Sequence, residues 1–217
     1  MIDSREKSRH QGRPVRLFLF KGVEPTLEVL MRSVTIIPGT TEFGYGTTPV
    51  TSTDTGKHLN RISTQPLTDF VNSIEDLLVC APGLKHVSLV VAWHGTDLRI
   101  GNCQIIPKVE HLTMTTEPFS WQVGPLQRGD AQIVSYIGDY PALGGAPSDR
   151  TVYEAITFLK SKGLRVTMYP FIMMDVPSGN TLPNPYGGSS QPAYPWRGRI
   201  TCHPAPDEPG TVDKTAA

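Results

Sequence analysis

The chain is poor in cysteine and has no surplus of charge of either sign. Its three cysteines, Cys80, Cys103 and Cys202, are odd in number and form no C-x-x-C pair. That excludes a disulfide scaffold and fits folding in a reducing compartment. Lys+Arg and Asp+Glu stand at 20 each, for a formal net charge of 0. Such a balance gives no polyanion-seeking field, so no nucleic-acid partner is expected. Long apolar runs are missing too. None approaches the ~20 residues of a membrane helix, and residues 17–20 fall short of a signal-peptide core of roughly 7–15 residues. The chain is therefore expected to be soluble, made in the cytoplasm and without a membrane span. The six histidines are scattered, with no H-x-x-H or H-E-x-x-H pattern, so no metal site is expected. Strings of the form G-x-x-x-x-G-K, G-x-G-x-x-G or G-x-S-x-G do not occur. Their lack weighs against phosphate-cradling loops, dinucleotide sites and a nucleophile elbow, and no cofactor is expected.

Glycine and proline are plentiful, at 20 each, and they gather in loops rather than in low-complexity tracts. Residues 1–16 set five basic side chains (Arg5, Lys7, Arg9, Arg13, Arg16) against two acidic ones, with almost nothing apolar. They read as a basic, loosely attached arm. Residues 17–63 form an N-terminal segment of β and irregular structure: a short strand over 15–20, a weak helix over 26–32, a β-branched run at 34–37, then a Thr/Gly/Pro-rich stretch.

From residue 64 the pattern becomes regular. Leu67, Phe70, Val71, Ile74, Leu77 and Leu78 recur at helical spacing over 66–78, with Pro66 suited to the first turn. Residues 87–93 form an apolar strand. A β-rich insertion follows, with patches at 104–106, 120–123 and 132–136. Ser148 then reads as the cap of a helix over 149–162 that Gly163 ends. Residues 164–174 are a nearly unbroken apolar run, which predicts a strand covered on both faces. Pro170 lacks the N–H a ladder needs, so a bulge is expected there. Strand, helix and strand make a βαβ unit.

Both strands end on chemistry. Trp93, Asp97 and Arg99 follow the first; Asp175 closes the second, before a Pro/Gly-rich loop carrying Tyr186, Tyr194, Trp196 and Arg197. On an α/β barrel such strand ends share one rim. There Asp97 and Asp175 are a candidate catalytic pair, since glycoside hydrolysis needs two carboxyls about 5–9.5 Å apart. Trp93, Tyr186, Tyr194 and Trp196 offer faces for sugar rings, while Arg99 and Arg197 suit acidic sugars. The competing reading makes Asp97 and Arg99 partners of each other and Asp175 a turn cap.

The strings Y-P-F-I-M-M-D-V-P-S-G-N-T-L-P-N-P-Y-G-G (169–188) and Q-P-A-Y-P-W-R-G-R-I-T-C (191–202) closely resemble the TIM-barrel-like domain of phage tail-tip proteins. The host-specificity (hub) protein of gene transfer agents is the familiar example. S-L-V-V-A-W (88–93) with Gly95-x-Asp97-Leu98-Arg99, G-G-A-P-S-D (144–149) and P-G-T-V-D-K-T-A-A (209–217) agree with it. The resemblance implies an α/β fold, a partial TIM-barrel-like (β/α) arrangement over 64–217 with a β-rich insertion. Two parallel strands cannot close an eight-stranded barrel, so a fragment of a longer protein is expected. The implied role is in the virion tail tip, among tail-tip and baseplate subunits, binding or cleaving host envelope glycan through a glycoside-hydrolase-like site. The alternatives are an inactive scaffold of the tail hub and a truncated prophage remnant.

Overall fold

The computed structural model describes residues 26–37, 41–195 and 198–211. In chain order these contain α1 (Leu27–Leu30), β1 (Ser33–Ile36), β2 (Thr51–Ser52), α2 (Asp69–Cys80), β3 (His86–Gly95), β4 (Ile105–Ile106) and β5 (Lys108–Val109). The short strands continue with β6 (Thr116–Glu117), β7 (Gln122–Val123), β8 (Leu126–Gln127), β9 (Gln132–Ile133), β10 (Tyr136–Ile137) and β11 (Tyr140–Pro141). Then come α3 (Asp149–Ser161) and β12 (Arg165–Met174). The expected arm, the strand over 15–20, and the candidate residues Trp196 and Arg197 lie outside the described residues.

β3 is the central strand, because its inward side chains are apolar enough to be sandwiched. It pairs in parallel with β1 on one side and β12 on the other. Val87 and Leu89 are fully buried on the face covered by the helices. Each such aliphatic side chain contributes about 1.5–3 kcal/mol by leaving water. α2 presents Phe70, Val71 and Ile74 to the interior, and α3 presents Ala155 and Leu159. α2 begins three residues later than the proline signal implies: Thr68 is the N-cap, its hydroxyl accepting from Val71 N at 3.4 Å. Leu67 is left outside, 49% exposed. Gly163, at φ +76°, provides the left-handed exit from α3. β1 stops at Ile36, and the Tyr45 hydroxyl then donates to the Val90 carbonyl of β3. Residues before position 64 thus share the sheet and core of those after it.

The barrel expectation is overturned. Among the described residues the parallel sheet has the order β1-β3-β12, with β4 added antiparallel at the end of β3. The remaining strands form separate two-stranded pairs. The fold is mixed and strand-rich, not a partial TIM-barrel-like (β/α) fold. The run ending at Asp175 does lie parallel to the one ending at Gly95, but among the described residues no strand continues the sheet beyond it.

β12 is correspondingly not covered on both faces. Met168 and Tyr169 are 55% and 51% exposed, because α3 packs only against the start of the strand, around Leu164 and Val166. Its apolar run records an edge strand, which periodicity cannot tell from a central one. The bulge expected at Pro170 is also absent: the register runs unbroken from Arg165↔His86 to Met174↔Gly95, with Pro170 opposite Val91. The reason lies in the phase of the ladder. Arg165 N bonds Lys85 O and Asp175 N bonds Gly95 O, both at 2.9 Å. Odd-numbered residues of β12 therefore face β3, and even-numbered ones face the free edge. Pro170 loses no ladder bond; it removes a donor from the open edge, where proline blunts pairing with another chain. Pro170→Val should accordingly shift folding stability by less than about 1 kcal/mol yet produce self-association at micromolar protein. Sedimentation velocity checks this, and a strictly monomeric variant would refute the edge role.

The insertion has its own core. Trp121 is fully buried with Phe43, Val50, Val109, Val123 and Ala146, and its indole donates to Ala146 O at 2.7 Å. The strand patches expected from sequence appear as β4, β7 and β9, each only two residues long.

Candidate functional site

Parallel pairing brings the ends of β3 and β12 side by side, with Met173 opposite His94 and Met174 opposite Gly95. Asp175 follows at 1% exposure. Its Oδ2 accepts from Lys108 Nζ at 2.7 Å, and Ser135 N lies 3.1–3.2 Å from both oxygens. Lys108 opens β5 and Ser135 follows β9, which pairs with β5. Asp175 thus ties the insertion to the sheet. His94 sits beside this pair, fully buried. Its Nε2 donates to Gly144 O at 3.2 Å, whereas Nδ1 has no partner among the described residues. Burial pushes the imidazole down to about 4; Asp175 pulls it back up and Lys108 pushes it further down.

Asp97 belongs to a different knot. Its Oδ1 accepts from Arg99 N (2.8 Å), Arg99 Nε (3.0 Å) and Gln191 Nε2 (2.7 Å), and Oδ2 accepts from Arg99 Nη2 at 2.7 Å. Burial alone would raise this carboxyl; the Arg99 donors and the Gln191 amide outweigh it and hold it below the usual carboxylate range. Gln191, 2% exposed, also accepts from Leu98 N at 2.9 Å. Backbone bonds Ile100 N to Thr201 O and Thr201 N to Leu98 O, both 2.8 Å, finish the attachment. The Pro/Gly-rich loop is pinned here by hydrogen bonds. A lone glutamine in a loop carries no sequence signal, so its part in the knot was not legible.

Asp97 and Asp175 share no partner, and all four carboxylate oxygens are engaged. Arg99 grips Asp97 rather than facing outward. Of the aromatic candidates, Trp93 is 36% and Tyr186 39% exposed, so both reach solvent. The Tyr186 hydroxyl donates to Arg199 O at 2.6 Å, and that of Tyr194 to Tyr136 O at 2.9 Å. The hydroxyls of both tyrosines therefore anchor the loop.

A second buried network joins residues that sequence reasoning did not select. Glu42 and Arg128 form a two-pronged pair, Oε2–Nη2 2.5 Å and Oε1–Nη1 3.2 Å. Glu110 N donates to Glu42 Oε1 at 2.7 Å, and Glu110 Oε1 accepts from Gly145 N at 3.1 Å. Burial, and then the Glu42 charge, raise the Glu110 carboxyl above its ordinary value. Gly145 is required sterically: a Cβ there would stand 2.5 Å from Glu42 Cγ.

A concave surface lies elsewhere. A depression of about 950 Å³ opens on the insertion, lined by Thr113, Phe119, Gln122, Gln127, Asp149 and Arg150 among others. None of the described strand-end candidates borders it. Among the described residues no group of three or more His, Cys, Asp or Glu is placed to hold a metal ion, and no helix is long and apolar enough to cross a membrane. No protein-family model matches the chain, and no curated protein matches it.

Proposed function

We propose that the chain is a non-hydrolytic structural component of a phage or gene-transfer-agent tail tip, held among tail-tip and baseplate subunits. The observation that carries the non-hydrolytic part is the engagement of both strand-end carboxylates. A general acid must reach the glycosidic oxygen and a nucleophile must reach the anomeric carbon. Asp175, at 1% exposure under Lys108, does neither, and Asp97 is enclosed by Arg99 and Gln191. The same bonds suit a scaffold, since each clamps a long loop or insertion to the sheet. The tail-tip part is supported by the resemblance over residues 169–188 and 191–202 and by the agreeing segments.

Two measurements test the two parts separately. The full chain incubated with envelope polysaccharide or peptidoglycan is expected to release no reducing ends. Release that vanishes in a folded Asp97→Asn variant would overturn the non-hydrolytic reading. Immunogold labelling of an epitope-tagged chain is expected to mark the tail end of purified particles. Label confined to the cell lysate would overturn the tail-tip assignment.

A further inference from the structure

The molecule has two apolar cores that share no residue. One joins the sheet to α2 and α3 around Val87, Leu89, Phe70 and Leu159. The other gathers Phe43 and Val50 with Val109, Trp121 and Ala146 of the insertion. The polar contacts that hold the second core to the first differ in kind at its two ends.

Along the first half of α3 the attachment runs through carboxylates. Glu154 accepts from the backbone N–H groups of Thr47 and Thr48 at 2.9 and 3.0 Å, and Asp149 accepts from Gly124 N at 2.6 Å. Burial alone would raise the Glu154 carboxyl; the Thr48 donors, Arg150 and the Thr47 N–H outweigh it and hold it below its ordinary value. This end therefore keeps its charge as the pH falls.

At the strand ends the attachment runs through Asp175 and His94. Asp175 holds Lys108 and Ser135 N, and the imidazole donates to Gly144 O. Nδ1 of the ring is buried without a hydrogen-bond partner among the described residues. The charged groups facing it are Asp175, from the end of β12, and Lys108, from β5; β4 sets Ile106 opposite His94. A proton on Nδ1 creates a second buried donor where no acceptor is free. Both oxygens of Asp175 are already engaged. Turning Asp175 to the ring takes it from Lys108 and Ser135, and leaving it in place strands a buried cation. Either outcome weakens the closed seam.

One residue further along the same turn the sign is reversed. Gly145 N donates to Glu110 Oε1 at 3.1 Å, and burial, then the Glu42 charge, raise that carboxyl above its ordinary value. Acid thus favours the insertion's own network at Glu110 while it loosens the grip of the sheet on Gly144. We propose that the strand-end seam is an acid-released latch: a proton on His94 frees Lys108 and Ser135 from Asp175, and the second core opens about its attachment to α3 without itself unfolding. The latch is a local opening, distinct from unfolding of the whole chain, and it stands independently of the tail-tip reading.

Amide exchange of the full chain, divided by the free-amide rate at each pH, tests this residue by residue. Ser135 N reports the seam. Val134 N, bonded to Val109 O at 3.0 Å, reports the insertion; Thr48 N reports the α3 attachment; Leu164 N, bonded to Leu159 O at 3.2 Å, reports the sheet core. The closed ring stands at about 4 and an open one near 6.5, so seam opening should rise about thirtyfold from about pH 6.5 to about pH 4.5. Ser135 is expected to show that rise, and Val134, Thr48 and Leu164 are not. The ring nitrogen shifts of His94 should show the proton arriving at Nδ1 over the same interval. His94→Gln should abolish the rise. Lys108→Met lets the imidazolium take the lysine's place on Asp175, so acid should no longer open Ser135. Constant protection at Ser135, an equal fall in His94→Gln, or loss at Val134, Thr48 and Leu164 in step with Ser135 would each overturn the latch. So would opening of the parent chain without proton uptake at His94, a readout that needs no variant to fold.

Discussion

Asp175→Asn is expected to cost roughly 3–5 kcal/mol of folding stability, because it leaves the Lys108 ammonium buried without its counter-charge. Lys108 and Asp175 are 8% and 0% exposed at their side chains and 2.7 Å apart. Neither charge has water to fall back on. The pair also carries the junction between the insertion and the sheet, since Ser135 N bonds the same carboxylate. Urea unfolding of the two chains measures the difference. The double variant Lys108→Met, Asp175→Leu removes both charges and should recover much of the loss, as buried pairs often exchange for apolar ones at little cost. A single Asp175→Asn variant as stable as the parent would show that the carboxylate is not structural. It would also reopen the case for Asp175 as a chemical group.

The second large effect is expected from acid. His94 is neutral and buried in the folded chain, with its imidazole pushed down to about 4, whereas an unfolded histidine titrates near 6.5. Between those values the unfolded chain binds more protons than the folded one. Stability is then complete above about pH 6.5 and falls as the pH drops towards 4, by about 3 kcal/mol from this residue. Protonation would place a cation beside the Lys108–Asp175 pair, where Asp175 favours it and Lys108 and burial oppose it. His94→Gln keeps an amide donor for Gly144 O and has nothing to protonate, so its stability should decline less over that interval. Glu110 contributes with the opposite sign: its raised carboxyl keeps a proton more readily when folded, which favours the fold on acidification. Both chains retain Glu110, so the comparison isolates His94. Equal slopes in denaturant melts at successive pH values would contradict the assignment.

The helices were the most legible elements. α3 matches its expected span within one residue, because its apolar face repeats at the helical period and Gly163 provides its exit. Ser148 stands at the N-cap position, but its hydroxyl makes no capping bond to a helix N–H and lies 3.3 Å from Thr151 Oγ1 instead. α2 was legible as a helix, though Thr68 rather than the proline set its start. β3 and β12 were legible as strands, and their parallel relation followed from the helix between them. Arg99 beside Asp97 was readable as a local pair, since an i, i+2 turn brings them together whatever the rest of the chain does.

The side-chain partners that lie far apart in sequence were hidden. Whether the run before Asp175 is a central or an edge strand depends on what stands beyond it, and no side-chain pattern within the run records that. The same holds for the direction in which Pro170 turns its missing donor, which the register alone sets. Lys108 meeting Asp175, Glu42 meeting Arg128 and Gln191 meeting Asp97 each span 67 to 94 positions. Local sequence determined where helices and strands form, because propensity, periodicity and capping act within a few residues. Only the tertiary structure decided that the strand-end carboxylates fasten the insertion and the loop to the sheet, because Lys108, Ser135 and Gln191, which engage them, arrive from elsewhere in the chain.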